Sequence, residues 1–272
     1  MYKFILFFSV LGLIGCTAFF FQPLEKHYYS PSDLGLDYQD VYFSSLDDTH
    51  LHGWWLPARG EAKGSVLFLH GNAENISTHI RSIMFLPDQD LNVFLFDYRG
   101  YGRSEGTAYL EGLLMDVEAG LRQLLIYDKT GNLAVFGQSL GAALAILVVA
   151  DSRYKDEIEV LVSDSSFTSF REITREKLSS HWLTWLFQWP LAMTVADDYR
   201  PIDEISKLHP TAVILVHSKA DQVIPFHHSE FLYKIAREPK SLWVAKNSSH
   251  NEFFSKLENQ IELARRMKDW FK

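Results

Sequence analysis

The feature that most constrains the fold is a set of short apolar runs that do not alternate. Val93–Phe96 and Val213–Val216 are apolar at every position. A strand with one wet face alternates, so these runs need cover on both faces, as in a parallel sheet flanked by helices. Eight β-branched or aromatic runs stand between turn residues: Val41–Ser44, Leu51–Trp55, Ser65–Leu69, Val93–Phe96, Leu133–Phe136, Val160–Val162, Ala212–Val216 and Leu242–Val244. From the third onward they alternate with helix-length segments such as Leu110–Tyr127 and Leu140–Ala150, the signature of βαβ units. The expectation is an α/β fold with a doubly wound, mostly parallel eight-stranded sheet. Phe254, Leu257, Ile261, Ala264, Met267 and Phe271 recur at intervals of three and four, which predicts a terminal amphipathic helix packed on that sheet. With 272 residues, 47% hydrophobic and 22% charged, the chain can bury one large core, and no internal repeat or low-complexity linker divides it.

Charge and cysteine content remove several functions. A net charge of −8 repels a phosphate backbone, so no nucleic-acid partner is expected. The single cysteine, Cys16, cannot close an intramolecular disulfide or supply paired thiolates to a zinc or iron–sulfur site. It sits inside an uncharged apolar run from Phe4 to Phe21 that ends at Gln22 and Pro23. Leu13-Ile14-Gly15-Cys16 resembles the bacterial lipobox, which implies a cleaved signal peptide over 1–15, a lipidated Cys16 and a periplasm-facing lipoprotein. The competing reading is an uncleaved signal anchor over 1–22, since the run is just long enough to span a bilayer. Both tie the body to a membrane, with residues 16–35 as a tether and 36–272 as the folded domain.

The chemistry centres on Gly137-Gln138-Ser139-Leu140-Gly141, at the end of the fifth run and the start of an apolar helix. A sharp strand-to-helix turn exposes the serine hydroxyl, and small flanking residues permit the close approach of strand and helix. The same turn puts the backbone N–H of Leu140 at a helix N-terminus, where it can face a developing oxyanion.

These residues, with His70-Gly71-Asn72-Ala73-Glu74-Asn75 after the third run and Asp97-Tyr98-Arg99-Gly100-Tyr101-Gly102-Arg103-Ser104 after the fourth, resemble the α/β-hydrolases, and within them the BEM46-like group. The resemblance extends from about residue 36 to the end. It implies a second oxyanion donor at the Asn72 N–H, a structural role for His70, and the chain order serine, acid, histidine. Eleven histidines compete for the base, and that order leaves His181, His209, His217, His227, His228 and His250. His250 lies between the last strand and the terminal helix, where the family places its histidine. Asp221, in a loop after the seventh run that resembles the family's acid loop, is favoured as the acid over Asp164 after the sixth.

Phe170 to Tyr199 is longer than a simple crossover needs and carries Trp182, Trp185, Leu186 and Trp189 at helical spacing. This segment, about 170–199, is expected to form a short helical cap whose tryptophans line an acyl-chain pocket, rest on a membrane, or fill the core. Gly100 to Gly106 misses the dinucleotide spacing by one residue, and neither a Walker sequence nor His-Glu-x-x-His occurs. His50 and His52 share one strand face without a third ligand, and His227 and His228 are expected to project apart, so no metal and no cofactor are expected. The combined expectation is a serine hydrolase acting on a small acyl ester, thioester or lipid. The alternatives are an amidase or peptidase, or a non-catalytic lipid-binding or assembly protein on the same scaffold.

Overall fold

The computed structural model describes residues 20–180 and 182–272. Its strands are β1 (Gln22–Pro23), β2 (Gln39–Ser44), β3 (His50–Leu56), β4 (Gly64–Leu69), β5 (Ala73–Glu74), β6 (Leu91–Phe96), β7 (Leu133–Gln138), β8 (Ile158–Asp164), β9 (Ala212–Ser218) and β10 (Lys240–Ala245). The helices are α1 (Ile76–His79), α2 (Leu110–Tyr127), α3 (Leu140–Asp151), α4 (Phe170–Ser179), α5 (Gln188–Ala192), α6 (Pro201–Glu204), α7 (His227–Ile235) and α8 (Leu257–Lys268). Eight strands form one sheet in the order β10-β9-β8-β7-β4-β6-β3-β2. Only β3 runs antiparallel to its neighbours, β2 and β6. The eight strands of this sheet contain the eight apolar runs, and each extends past its run at one end or both.

Alternate residues of each central strand feed two cores, one on each face. Leu67, Leu69, Val135 and Leu215 pack with Leu113 and Val117 of α2 and Leu144 of α3. Val66, Phe68, Phe136 and Ile214 pack with Ile76 of α1 and with Leu263 and Met267 of α8. This two-sided burial accounts for the unbroken apolar runs. In α3 every residue from Leu140 to Ala150 is buried, so the helix is apolar all round.

Three expectations are corrected. Residues 20–35 do not hang from the domain as a tether: β1 pairs with β5, Phe21 is buried, and His27 reaches Asp97. The terminal helix begins at Leu257, and Leu257 and Ile261 are exposed while Leu263, Ala264 and Met267 are buried. The stripe is displaced because Phe253 and Phe254 enter the core through a preceding 3-10 turn, which resets the helical phase. The cap segment is not one helix: α4 ends at Ser179, Trp185–Phe187 forms a 3-10 turn, and α5 follows. The expected signal sequence, Cys16 included, lies outside the described residues.

Arg99 anchors the start of the loop after β6. Its side chain is almost fully buried, and its guanidinium donates to Asp116 at 2.8 Å and to Asp47 at 2.7 Å. Asp116 also accepts the Arg99 amide N–H at 2.8 Å and the Ser45 hydroxyl at 2.6 Å. Removing Asp116 takes away the buried partner of this cation and leaves the partly wet Asp47 as its remaining carboxylate. Asp116→Ala is expected to lower stability by about 3–5 kcal/mol, read from the denaturant midpoint. Asp47→Ala, whose carboxylate is partly wet, is expected to cost less.

Candidate active site

The turn from β7 into α3 is built by steric exclusion. A Cβ on Gly137 would strike the Gly141 carbonyl, and a Cβ on Gly141 would strike the Leu69 carbonyl oxygen and come within 2.6 Å of that of His70. The backbones of β4, β7 and α3 therefore meet only if both positions are glycine. Between them Ser139 takes φ 54° and ψ −114°, a sparsely populated conformation costing on the order of 1–3 kcal/mol. Its N–H donates to the Asp164 carbonyl at 2.8 Å, which pins the turn to β8. The N–H groups of Ala142 and Ala143 return to the Ser139 carbonyl, and Leu140 is the first residue of α3 and lines the cavity in front of the serine.

Because β4 is the sheet neighbour of β7, the loop after β4 stands beside Ser139. A Cβ on Gly71 would lie 3.7 Å from that of Ser139. Asn72 is held by its other groups: its Nδ2 donates to the Phe20 carbonyl at 2.6 Å, and its carbonyl accepts the Tyr101 hydroxyl at 2.9 Å. Tyr98 similarly donates to the His70 carbonyl at 3.0 Å. His70 itself is buried, stacks on Tyr98 at 4.1 Å and donates from Nδ1 to the Gly71 carbonyl at 2.7 Å. Burial, aided by neighbouring His79, pushes His70 down to about 3, so it stays neutral. Asp97 ties this loop to the chain ahead of it, accepting the Ile76 N–H at 3.0 Å and the His27 Nε2–H at 2.7 Å.

At the carboxyl ends of the adjacent strands β9 and β10, Asp221 and His250 meet. His250 Nδ1 lies 2.7 Å from Asp221 Oδ2, while Asp221 Oδ1 accepts the N–H groups of Val223 at 2.8 Å and Ile224 at 2.9 Å. Burial alone would raise this fully enclosed carboxyl. Hydrogen bonding and charge from His217 and His250, with the Ile224 amide, outweigh it and hold Asp221 well below the usual carboxylate range. Of the remaining histidines, His217 is fully buried, with Nδ1 on Ser229 Oγ and with Nε2 2.9 Å from the Ile224 carbonyl and 3.4 Å from Asp221 Oδ2, so it backs the carboxylate from inside the core, and His209 bonds the Glu238 carbonyl. His181 lies outside the described residues. Asp164 is fully buried between Gln138 Nε2 and Ser165 Oγ, and burial raises its carboxyl despite those donors.

Ser139 and His250 line one cavity of about 800 Å³ together with Asn72, Leu140, Phe20 and His79. Ile173, Thr174, Lys177 and Leu178 of α4, and Leu191, Thr194 and Val195 beyond it, form the opposite wall. Trp182, Trp185 and Trp189 are not among the lining residues; all three are exposed. The cap walls the cavity through α4 instead: α4 ends at Ser179, and the tryptophans follow on separate turns, exposed. Phe20, His79 and Lys177 escape sequence reasoning because each belongs to an element with no catalytic pattern of its own.

Two groups of possible metal ligands occur among the described residues, His27–His52–Asp97 and Glu176–His227–His228. In the first, the 2.7 Å between His27 Nε2 and Asp97 is a direct hydrogen bond, closer than the roughly 3 Å that separates two donors on one ion. In the second, His227 and His228 do not project apart: their rings stack at 4.5 Å and both Nε2 atoms face Glu176. The Thr168 N–H donates to His228 Nδ1 at 3.2 Å, which leaves the proton on Nε2 toward Glu176. Both groups are hydrogen-bonded braces.

A family model described as serine aminopeptidase, S33, matches residues 60–200. The uncharacterized protein YfhR of Escherichia coli is 33% identical over 243 residues, 87% of this chain and 81% of that protein. Protein bem46 of Schizosaccharomyces pombe is 25% identical over 213 residues, 75% of this chain and 67% of its own. An esterase of Pyrococcus furiosus superposes with a TM-score of 0.77 at 21% identity, covering 93% of this chain and 98% of that one, a likeness of fold.

Two outcomes follow from this geometry. Gly141→Ala drives a methyl into backbone carbonyls and is expected to cost about 1–3 kcal/mol, measured by denaturant unfolding. Asp221 has a depressed folded pKa, so its contribution to stability is complete above its unfolded value of about 4 and is lost as pH falls toward the folded value. The stability gap between the native chain and Asp221→Asn is therefore expected to shrink as pH falls below about 4.

Proposed function

The chain belongs to the α/β-hydrolase family, and from that premise we propose that it is a serine hydrolase of acyl esters or thioesters, with Ser139 as nucleophile, His250 as base and Asp221 as the group that orients His250. The observation that carries the reading is the 2.7 Å contact between His250 Nδ1 and Asp221, at the wall of the cavity that holds the strained serine. A carboxylate on Nδ1 keeps that nitrogen protonated and leaves Nε2 free to accept a proton.

In the proposed sequence, His250 Nε2 takes the hydroxyl proton as Ser139 Oγ attacks the acyl carbonyl. The tetrahedral oxyanion is met by the N–H groups of Leu140 and Asn72. His250 then gives its proton to the departing alcohol or thiol, leaving an acyl-serine. Water deprotonated by His250 attacks that ester, and collapse returns the proton to Ser139 and releases the acid. Asp221 stays ionised throughout and stabilises the imidazolium. Besides the substrate and one water molecule, these steps use side chains and backbone amides of this chain. The largely apolar wall of Phe20, Phe167, Ile173 and Leu178 suits an acyl chain.

One observation favours a second reading. The matching family model is described as an aminopeptidase, and Glu74, which lines the cavity, is a carboxylate that could face a substrate ammonium. Hydrolysis of aminoacyl p-nitroanilides in preference to p-nitrophenyl esters would favour it. Ser139→Ala is expected to lower turnover of p-nitrophenyl butyrate by about 10⁴–10⁶. Turnover by this variant close to that of the native enzyme would refute the nucleophile.

A further inference from the structure

We infer that the outer face of the cap, from Trp182 to Met193, seats in the interfacial layer of a lipid bilayer, with the mouth of the Ser139 cavity turned toward the membrane. The seating stands on surface and chain path. What it adds about substrate, an acyl ester drawn from the lipid phase, rests on the hydrolase reading above.

The first observation is composition at the surface. Trp182 (80% exposed), Leu186 (73%) and Met193 (70%) stand with Leu183, Trp185, Phe187 and Trp189 on one short segment. Contiguous exposed apolar surface of this kind marks an interaction site. No Asp, Glu, Lys or Arg occurs between Lys177 and Asp197, although the chain as a whole carries a net charge of −8. The face therefore lacks the negative charge that would hold the rest of the molecule off an anionic surface.

The second observation concerns where the chain leaves the domain. Phe20, the first described residue, lines the cavity and packs edge-on against Phe170 at the start of α4, with ring centroids 5.4 Å apart. Ahead of it the sequence is uncharged and apolar back to Phe4. A segment of that composition needs an apolar surrounding, and the residue at which it joins the described chain, Phe20, lies at the cavity. Leu191, half exposed, belongs both to the cavity wall and to the tryptophan face, so rim and patch are continuous. Membrane attachment through the N-terminal run would bring the lipid to the side of the domain where Phe20 meets α4, at the base of the cap.

The third observation is residue type. Tryptophan pairs an apolar body with an N–H donor, which suits the headgroup boundary. Arg175 sits over the Trp189 ring at 5.1 Å, with Glu176 3.6 Å from its guanidinium, so the border of the patch is cationic and partly neutralised.

The test uses the full chain reconstituted in phosphatidylcholine vesicles with and without brominated acyl chains, read by tryptophan emission. Bromolipid is expected to quench the native chain. It is expected to quench Ser139→Ala equally, so a failure of the hydrolase reading leaves this result intact. The variant Trp182→Ser/Trp185→Ser/Trp189→Ser changes only exposed positions and is expected to keep its unfolding midpoint and to lose that quenching while remaining vesicle-bound. Equal fractional quenching of the native chain and the triple variant would overturn the proposal, as would no quenching of either. A dimer of the native chain in detergent, absent from the triple variant, would also overturn it by assigning the face to a second copy.

Discussion

The contact on which the site depends is the backbone approach of three elements, β4, β7 and α3, at Gly137 and Gly141. It forces Ser139 into a left-handed conformation that a serine adopts only under compulsion, and the surrounding core supplies the compulsion. Every residue of α3 from Leu140 to Ala150 is buried, so the helix cannot shift to relieve the turn. The same approach brings the loop after β4 alongside the serine, which places Asn72 and Leu140 at one cavity.

The loop after β6 braces that arrangement. Tyr98 and Tyr101, both buried, donate to the carbonyls of His70 and Asn72, and Asp97 bonds the amide of Ile76 at the start of α1. Gly102 takes φ +51° with Asp97 against the space a Cβ would fill, so the loop can fold over the carboxylate only with glycine there. Arg99 fastens the opposite side to Asp116 on α2. The Asp97–Ser104 sequence is thus a scaffold for the loop beside the serine, and its charged residues are used for position.

Much of this was legible in the sequence. Val93–Phe96 and Val213–Val216 read as doubly covered strands because no face of them could be wet, and the Gly-x-Ser-x-Gly turn carries its steric logic in its spelling. The meeting of Asp221 with His250 depends on β9 and β10 being neighbours, which a one-dimensional reading reaches only through the resemblance. Less was legible wherever side-chain spacing was mistaken for a continuous helix. Trp182, Trp185 and Trp189 keep helical spacing although they fall on a turn, a 3-10 turn and α5 in succession, and Leu257 and Ile261 keep the period of a stripe whose phase Phe253 and Phe254 reset. The wall formed by Phe20, His79 and Lys177 was invisible because it is assembled from three separate segments by tertiary packing.

The central claim is that the Asp221–His250 pair activates Ser139 as a nucleophile. It is tested most directly by treating the protein with a fluorophosphonate and mapping the adduct by peptide mass. The account predicts one modified residue, Ser139, and loss of labelling in His250→Ala with the fold intact. An adduct on another residue, or labelling of Ser139 at an undiminished rate without His250, would contradict it.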